Sequence, residues 1–322
     1  MPTINITPKS LQQSATTYRK ELLIMPAIAA QATLKHMRGL FKLTGNVMLG
    51  ELDGDAELAP WKASRGDDAN FSINGRELVM NLGNCAKHFS PQDVWGSIYG
   101  SEVLKGEGLK NVDINKAVLA LVSGSLGKKL NLKLWSAKRN PEGDTTGDLF
   151  DGFDTITEAE IKASKITKEL GNYVEVEEIT DANAVDQMNK IYDAMSDELK
   201  EQPVKCFMPV NVYNSYCRDY RDRFGALPYN DKYKKLYLDG SNDLFEFCPV
   251  ASKKGSKFIH ITPQNNMVYG VGSGEYPGET LNIEKYSSWK LTLEAAMAFG
   301  VQFESINPEK LLVAKLGAQV VM

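Results

Sequence analysis

Residues 111–154 read NVDINKAVLALVSGSLGKKLNLKLWSAKRNPEGDTTGDLFDGFD, and this stretch decides the fold. Its first part predicts one long helix over about residues 112–139. Asp113 is a suitable N-cap, because its carboxylate can accept the unpaired amides of the first turn. The Asn140-Pro141 step ends the helix, since proline disfavours helical geometry in the residue before it. The rest of the chain is expected to pack on this spine helix through one row of apolar residues spaced four apart: Ile114, Val118, Val122, Leu126, Leu130 and Leu134.

Four more apolar residues widen this row into a broad belt: Leu119, Leu121, Leu132 and Trp135. Gly124 and Gly127 each cost the helix roughly 1 kcal/mol relative to alanine. They are therefore expected at places where another backbone passes close. The four aspartates that follow the spine lack the alternate spacing of a calcium loop, so they are expected to bond turn amides instead: Asp144, Asp148, Asp151 and Asp154.

Composition excludes several classes of protein. The chain has 322 residues and a net charge of −4, which does not suggest a strongly basic nucleic-acid-binding surface. No apolar run approaches the ~20 residues of a membrane span, and the N-terminus does not resemble a signal peptide. Four cysteines without a C-x-x-C spacing favour reduced thiols in a cytosol: Cys85, Cys206, Cys217 and Cys248.

Before the spine, residues 1–45 are typical of an arm that either packs on the body or reaches a neighbouring subunit. Residues 46–90 alternate like short strands around turn signals such as Arg65-Gly66-Asp67-Asp68, which predicts a long hairpin. Such a hairpin has little core of its own and is expected to lie on something else.

After the spine, residues 181–201 predict one amphipathic helix capped by Asp181 or Asn183. A strand then leads to a second helix, for which Asn211 is the expected cap. Residues 231–271 predict a run of short strands, residues 275–302 a long strand or bent strand pair, and residues 311–316 a closing strand.

Candidate catalytic patterns are absent from the sequence. GSLGKKL, beginning at Gly124, lacks the first glycine and the Ser or Thr of a phosphate-binding loop. YGVGSGEYPGE, beginning at Tyr269, does not have the dinucleotide-binding spacing and reads as a flexible loop. No G-x-S-x-G elbow occurs. The three histidines are far apart and read as surface or hydrogen-bonded core residues: His36, His88 and His260. We therefore predict no catalytic, cofactor-binding or metal-binding residue.

Four segments carry a resemblance to a known family. Residues 133–155 read KLWSAKRNPEGDTTGDLFDGFDT, residues 203–225 PVKCFMPVNVYNSYCRDYRDRFG, and residues 261–272 ITPQNNMVYGVG. The last segment, residues 289–316, reads WKLTLEAAMAFGVQFESINPEKLLVAKL. In this order, the segments resemble the major capsid proteins of tailed bacteriophages, which share the Hong Kong 97-like fold.

The resemblance implies an α+β chain built from an arm at 1–45, an extended hairpin loop at 46–90 and two domains. The peripheral domain would comprise 91–179 and 275–322, and the axial domain 180–274. Pentamers and hexamers would form an icosahedral shell around double-stranded DNA. The shell would be assembled in the bacterial cytoplasm, with a portal protein and a separate scaffolding or decoration protein as further partners.

Two departures from the family affect these expectations. The chain starts close to the hairpin, so a scaffold would be a separate protein or absent. The type member cross-links a loop lysine to an asparagine, and by residue type alone Lys62 and Asn307 are the candidates here.

Two other functions stay open at this stage. An encapsulin-type nanocompartment shell would have the same fold but an enzyme as cargo. A metal-independent hydrolase on a mixed α/β fold would gather His88 or His260 and a carboxylate in a pocket.

Overall fold

The computed structural model describes residues 31–54, 71–90, 114–225, 237–287 and 290–317. Most of the predicted arm, the turn at Arg65-Gly66-Asp67-Asp68 and the predicted cap Asp113 lie outside these ranges. None of the described helices combines the length and apolar composition that crossing a bilayer requires.

A central sheet is organised around one long strand, β11 (Leu291–Phe303). Its N-terminal half pairs antiparallel with both β4 (Asn81–Phe89) and β10 (Thr280–Lys285), so it lies between them. Its C-terminal end pairs with β9 (Met267–Val271), which in turn pairs in parallel with β1 (Arg38–Phe41). The predicted strand pair over 275–302 is therefore confirmed, and part of the segment expected to be an arm is a strand of this sheet.

Only part of the predicted hairpin forms a separate pair of strands, and the rest joins the central sheet. Strands β2 (Val47–Gly54) and β3 (Phe71–Leu78) pair antiparallel as a two-stranded ribbon. Strand β4 follows immediately after β3 but belongs to the central sheet. Residues 79–90 are thus part of the body rather than of the ribbon.

A second sheet has the order β5 (Tyr173–Glu175), β12 (Leu312–Lys315), β8 (Phe258–Pro263), β6 (Val204–Pro209) and β7 (Phe245–Val250). The predicted closing strand is confirmed as β12, which pairs with β5 and β8. The inner strands β6 and β8 of this sheet are buried along nearly their whole length, as expected for strands covered on both faces.

The spine is helix α2 (Ile114–Lys133), which follows the short helix α1 (Gln31–Leu34). It ends earlier than the predicted residue 139, because the backbone after Lys133 turns to bond the next segment. Leu130 and Leu134 are buried as predicted, but Leu132 is 60% exposed and lies outside the apolar belt. The expectation for Gly124 is also wrong for the part of the chain that the structure describes, since a Cβ atom there would meet none of its atoms within 4 Å.

Two helix predictions need correction. The predicted helix at 181–201 is two helices, α4 (Ala184–Asp193) and α5 (Asp197–Lys200), because the Ser196 side chain accepts the Leu199 amide and starts a new helix. The helix predicted to begin at Asn211 is α6 (Val210–Phe224), with Pro209 at its N-cap position.

Two large apolar cores lie against the second sheet. The first joins the end of the spine to the central sheet through side chains such as Trp135, Phe153 and Phe299. The second holds α4 and α6 on the sheet through Met188, Ile191 and others. Helix α3 (Phe153–Lys162) begins in the first core, directly after the turn that ends the spine segment.

Candidate assembly elements and a buried polar cluster

The base of the β2–β3 ribbon is fastened to the body by one arginine. Arg76 donates from Nε to the Phe303 carbonyl at 3.1 Å and from Nη2 to Gln302 Oε1 at 3.1 Å. The same Nη2 atom lies 2.6 Å from Glu160 Oε1 on α3. Both side chains of this ion pair are about one-seventh exposed, so the contact is shielded from solvent. Arg76 thus ties the ribbon to the end of β11 and to α3 at once.

Two amide side chains complete this attachment. Asn46 accepts the Met80 amide and donates to Glu77 Oε1 at 2.8 Å, while Gln302 donates to the Glu77 carbonyl. Beneath them, Leu49 and Leu78 are buried in a small apolar cluster. These residues were not predicted as functional, because an arginine or asparagine in a strand gives no sign of a distant partner.

The segment after the spine is held by close backbone contact. The Leu134 and Trp135 carbonyls accept the amides of Phe153 and Asp154, and the Ala137 carbonyl accepts the Gly152 amide. A Cβ atom on Gly152 would lie 2.4 Å from the Trp135 carbonyl oxygen, so only glycine fits there. This geometry explains why the turn is rich in small residues.

The aspartates of this segment have two different roles. Asp148 accepts the Thr145 amide at 3.1 Å, and Asp151 accepts the Arg139 amide at 2.8 Å, which confirms the prediction of turn capping for these two. Asp154 differs, because it points towards a buried lysine. Within the described ranges, no three His, Cys, Asp or Glu side chains come together as a metal site would require.

Lys253 is the centre of a buried polar cluster. Its side chain is fully buried, with Nζ 2.8 Å from Asp154 Oδ1, 3.0 Å from His260 Nδ1 and 3.9 Å from the centre of a Trp135 ring. Nearby, Ser252 Oγ accepts from Trp135 Nε1 at 3.0 Å and bonds Thr33 Oγ1. A buried charge is costly unless it is paired, so this pairing is what allows a lysine here.

The hydrogen bonds fix the tautomer of His260. Thr157 Oγ1 donates its proton to the Phe153 carbonyl, so it can only accept from His260 Nε2, 2.9 Å away. The imidazole therefore carries its proton on Nε2 and presents the Nδ1 lone pair to Lys253. Burial, together with the positive charge of Lys253, holds the pKa of His260 well below its usual value. Burial also lowers the pKa of Lys253, against the attraction of Asp154.

This cluster brings together a histidine and a carboxylate, as the hydrolase hypothesis expected, but its hydrogen bonds do not fit that chemistry. Nε2 of His260 is a donor and cannot take a proton from Thr157, and Nδ1 is occupied by Lys253. His260 is also fully buried, as the prediction of a hydrogen-bonded core histidine requires. His88 lies elsewhere, bonded to Thr292 and stacked on Tyr286.

Two sequence patterns acquire structural roles. Asn266, from the ITPQNN segment, is buried and donates to the Ser305 and Lys310 carbonyls while accepting the Ser305 amide. The loop beginning at Tyr269, predicted to be flexible, is bonded at its end, because the buried Glu279 carboxylate accepts the amides of Gly274 and Ala298.

The cross-link candidates cannot be brought together here. Lys62 lies outside the described residues, and Asn307 lies in an exposed turn whose carbonyl accepts the amides of Lys310 and Leu311. The cross-link stays a prediction. All four cysteines are free thiols, with Cys206 and Cys248 buried.

Comparison with known proteins reveals similarity of structure but not of sequence. No family model matches the chain, and neither does any curated protein. A chain of the satellite phage P4 procapsid is similar with a TM-score of 0.55 and 9% identity, over 91% of this chain and 98% of that chain. A chain of the native GTA capsid gives 0.53 and 12% identity, over 89% and 91%. The SrpI encapsulin of Synechococcus elongatus gives 0.53 and 10% identity, over 90% and 88%.

These likenesses show the fold. The chain is an α+β protein with the fold that phage capsid and encapsulin shell chains share, so the resemblance seen in its sequence is confirmed at the level of the fold.

Proposed function

We propose that this chain is the major capsid protein of a tailed bacteriophage, which assembles through pentamers and hexamers into an icosahedral shell around double-stranded DNA. The observation that carries the proposal is a fold similar to that of capsid chains. The similarity covers about nine-tenths of this chain and more than nine-tenths of the length of each capsid chain. A fold alone does not define a function, so the proposal is tested by assembly.

In this proposal the ribbon lies over a neighbouring subunit as an extended loop. The spine helix and central sheet belong to a peripheral domain, and α4 and α6 belong to an axial domain around the symmetry centres. Many modest contacts per subunit would together give a stable shell, since linked weak contacts act with high avidity.

The first test is electron microscopy of the purified protein, paired with its mass in solution. We expect closed shells, tubes or capsomer rings, if necessary after adding a candidate scaffolding protein. A monomer that persists with scaffold present would contradict the proposal.

A deletion tests the role of the ribbon. Removing residues 65–70 should leave the subunit folded by circular dichroism and block shell formation. A deletion of residues 318–322 is the control, and we expect it to assemble. Normal particles from the 65–70 deletion would rule out the proposed role.

An encapsulin-type shell is the second candidate, because the SrpI encapsulin matches as well as the GTA capsid chain. The contents of native particles separate the two. Duplex DNA inside supports the phage capsid, and a co-purifying enzyme supports the nanocompartment.

A further inference from the structure

A groove opens on the surface beside the buried polar cluster. It has a volume of about 480 Å³ and lies between the end of the spine segment, helix α3 and the turn that joins β7 to β8. Asp154 and Lys253 form part of its floor. Its walls carry exposed lysines, small residues and one glutamate, among them Ser136, Lys138, Glu158, Lys162, Lys254, Gly255, Ser256 and Lys257.

The charge of this groove is opposite to that of the chain. Lys138, Lys162, Lys254 and Lys257 are all exposed, and none forms an ion pair with another residue that the structure describes. Among the lining residues that the structure describes, Glu158 is the one exposed carboxylate, since Asp154 is paired with Lys253. Five lysines against two carboxylates give the lining a net charge of +3, although the whole chain carries −4.

The buried cluster holds these lysines in place. The ion pair from Lys253 to Asp154 joins the turn after β7 to the start of α3, and the hydrogen bond from Trp135 to Ser252 joins the same turn to the end of the spine. The three walls are therefore fixed relative to one another.

The lining favours a polyanion over a folded protein partner. The two aromatic residues of its described lining, Trp135 and Phe258, are buried, so this lining offers no exposed aromatic anchor. Protein interfaces are depleted in lysine and depend on aromatic anchors, whereas phosphate backbones are bound by flexible cations without sequence preference.

We infer that this groove contacts the phosphate backbone of packaged duplex DNA, which makes this face of the subunit the inner wall of the shell. The inference rests on the proposed function and adds the orientation of the subunit to it. Lysines that reach only phosphates position DNA without reading its sequence, so the contact is non-specific and sensitive to salt.

The direct test is binding of a short random-sequence duplex to the unassembled full-length chain, measured by fluorescence anisotropy at several salt concentrations. Four phosphate contacts predict that the wild-type affinity falls roughly 100-fold between 50 and 200 mM salt. The combined variant Lys138→Gln, Lys162→Gln, Lys254→Gln and Lys257→Gln should remove most of this dependence.

A matched variant removes the same charge from exposed lysines of the central sheet and its loops: Lys42→Gln, Lys87→Gln, Lys285→Gln and Lys290→Gln. We expect it to bind DNA nearly as well as wild type. Equal losses in the two variants would overturn the inference, because binding would then follow net charge alone. A groove variant that keeps DNA binding but no longer assembles would also overturn it, by assigning the groove to a contact between subunits.

Labelling of intact DNA-filled shells tests the orientation separately. With an amine reagent too large to cross the wall, Lys254 and Lys257 should react only after the shell is disrupted. Shells that assemble but label at these lysines would overturn the inference and leave the proposed function standing. A chain that never assembles, even with scaffold, would overturn both.

Discussion

At the scale of single residues, protonation of His260 should lower the stability of the fold. Its pKa in the folded state lies well below the usual ~6.5 because it is buried beside the Lys253 amine. The unfolded state therefore takes up a proton first as pH falls, and the stabilisation present above about pH 6.5 is lost below it. For one such group the loss approaches about 1.4 kcal/mol per pH unit. His260→Gln should flatten this part of the stability curve, measured by urea unfolding between pH 7 and 5.

His88→Gln is the matched control, because His88 is an exposed histidine of the central sheet. It lies away from the Lys253 cluster, so the part of the wild-type slope that comes from this cluster should persist in the variant. If His260→Gln also keeps that slope, His260 is not responsible for the loss of stability in acid.

Gly152 and Gly124 should respond in opposite ways to the same substitution. Gly152→Ala places a methyl group against the Trp135 carbonyl, where overpacking typically costs about 1–3 kcal/mol. Gly124→Ala would contact no atom of the described ranges and should stabilise the spine by up to about 1 kcal/mol. Thermal unfolding of both variants checks the pair. A neutral Gly152→Ala would mean that the turn can move away from the spine.

Residue types predicted part of this picture. The histidines were expected to be surface or hydrogen-bonded core residues, and His260 is the latter. The burial of Lys253 could not be predicted, because Ser-Lys-Lys-Gly-Ser reads as an exposed turn. Of its partners, His260 lies on the next strand, β8, but Asp154 is 99 residues away in the sequence, and only the packed structure brings it to Lys253.

At the scale of elements, the ribbon base should matter more for assembly than for folding. Arg76→Ala removes three hydrogen bonds, each worth roughly 1–3 kcal/mol where a charge is involved, but leaves both large cores intact. We expect a folded subunit with a clearly lower yield of shells. Arg76→Lys should recover only part of the yield, since an ammonium group cannot make the same divergent contacts. Electron microscopy and light scattering measure the yield.

Arg38→Ala is the control, because it removes another arginine–glutamate pair, with Glu304, that does not involve the ribbon. A similar drop in yield for both variants would mean that general destabilisation, not the ribbon, limits assembly.

Elements were predicted better in type than in extent. Periodicity identified the spine, but its end depends on carbonyls that bond α3, a contact between distant residues that periodicity does not contain. The break at Ser196 was missed because the apolar stripe continues across it through Met195 and Leu199. The pairing of β4 with β11 joins segments about 200 residues apart, and no local pattern indicates it.

At the scale of the whole molecule, the second sheet couples the two large cores. Along β6, Cys206 faces the second core and the adjacent Phe207 faces the first. Strands β8 and β12 alternate in the same way. Ile259 and Leu312 face the second core, and their neighbours Phe258 and Val313 face the first. Neither core can lose its packing without exposing one face of the sheet that holds the other.

We therefore expect Cys206 and Cys248 to become reactive to a thiol reagent at one and the same urea concentration. They lie in different cores, and burial raises the pKa of both thiols, that of Cys248 to about 12, so the folded protein should protect them. Quenched labelling followed by mass spectrometry measures each site. Earlier reaction of Cys206 would indicate that the second core unfolds alone.

Helix α3 is attached to a different part of the molecule near each of its two ends. Asp154, in its first turn, holds Lys253 and the walls of the groove, and Glu160, about 9 Å further along the axis, holds Arg76 and the ribbon. Helix α3 thus links the β2–β3 ribbon to the buried polar cluster. If the ribbon lies on a neighbouring subunit and the groove on DNA, as proposed, a force on the ribbon would reach the groove through this helix. Contacts between subunits and contacts with DNA would then change together.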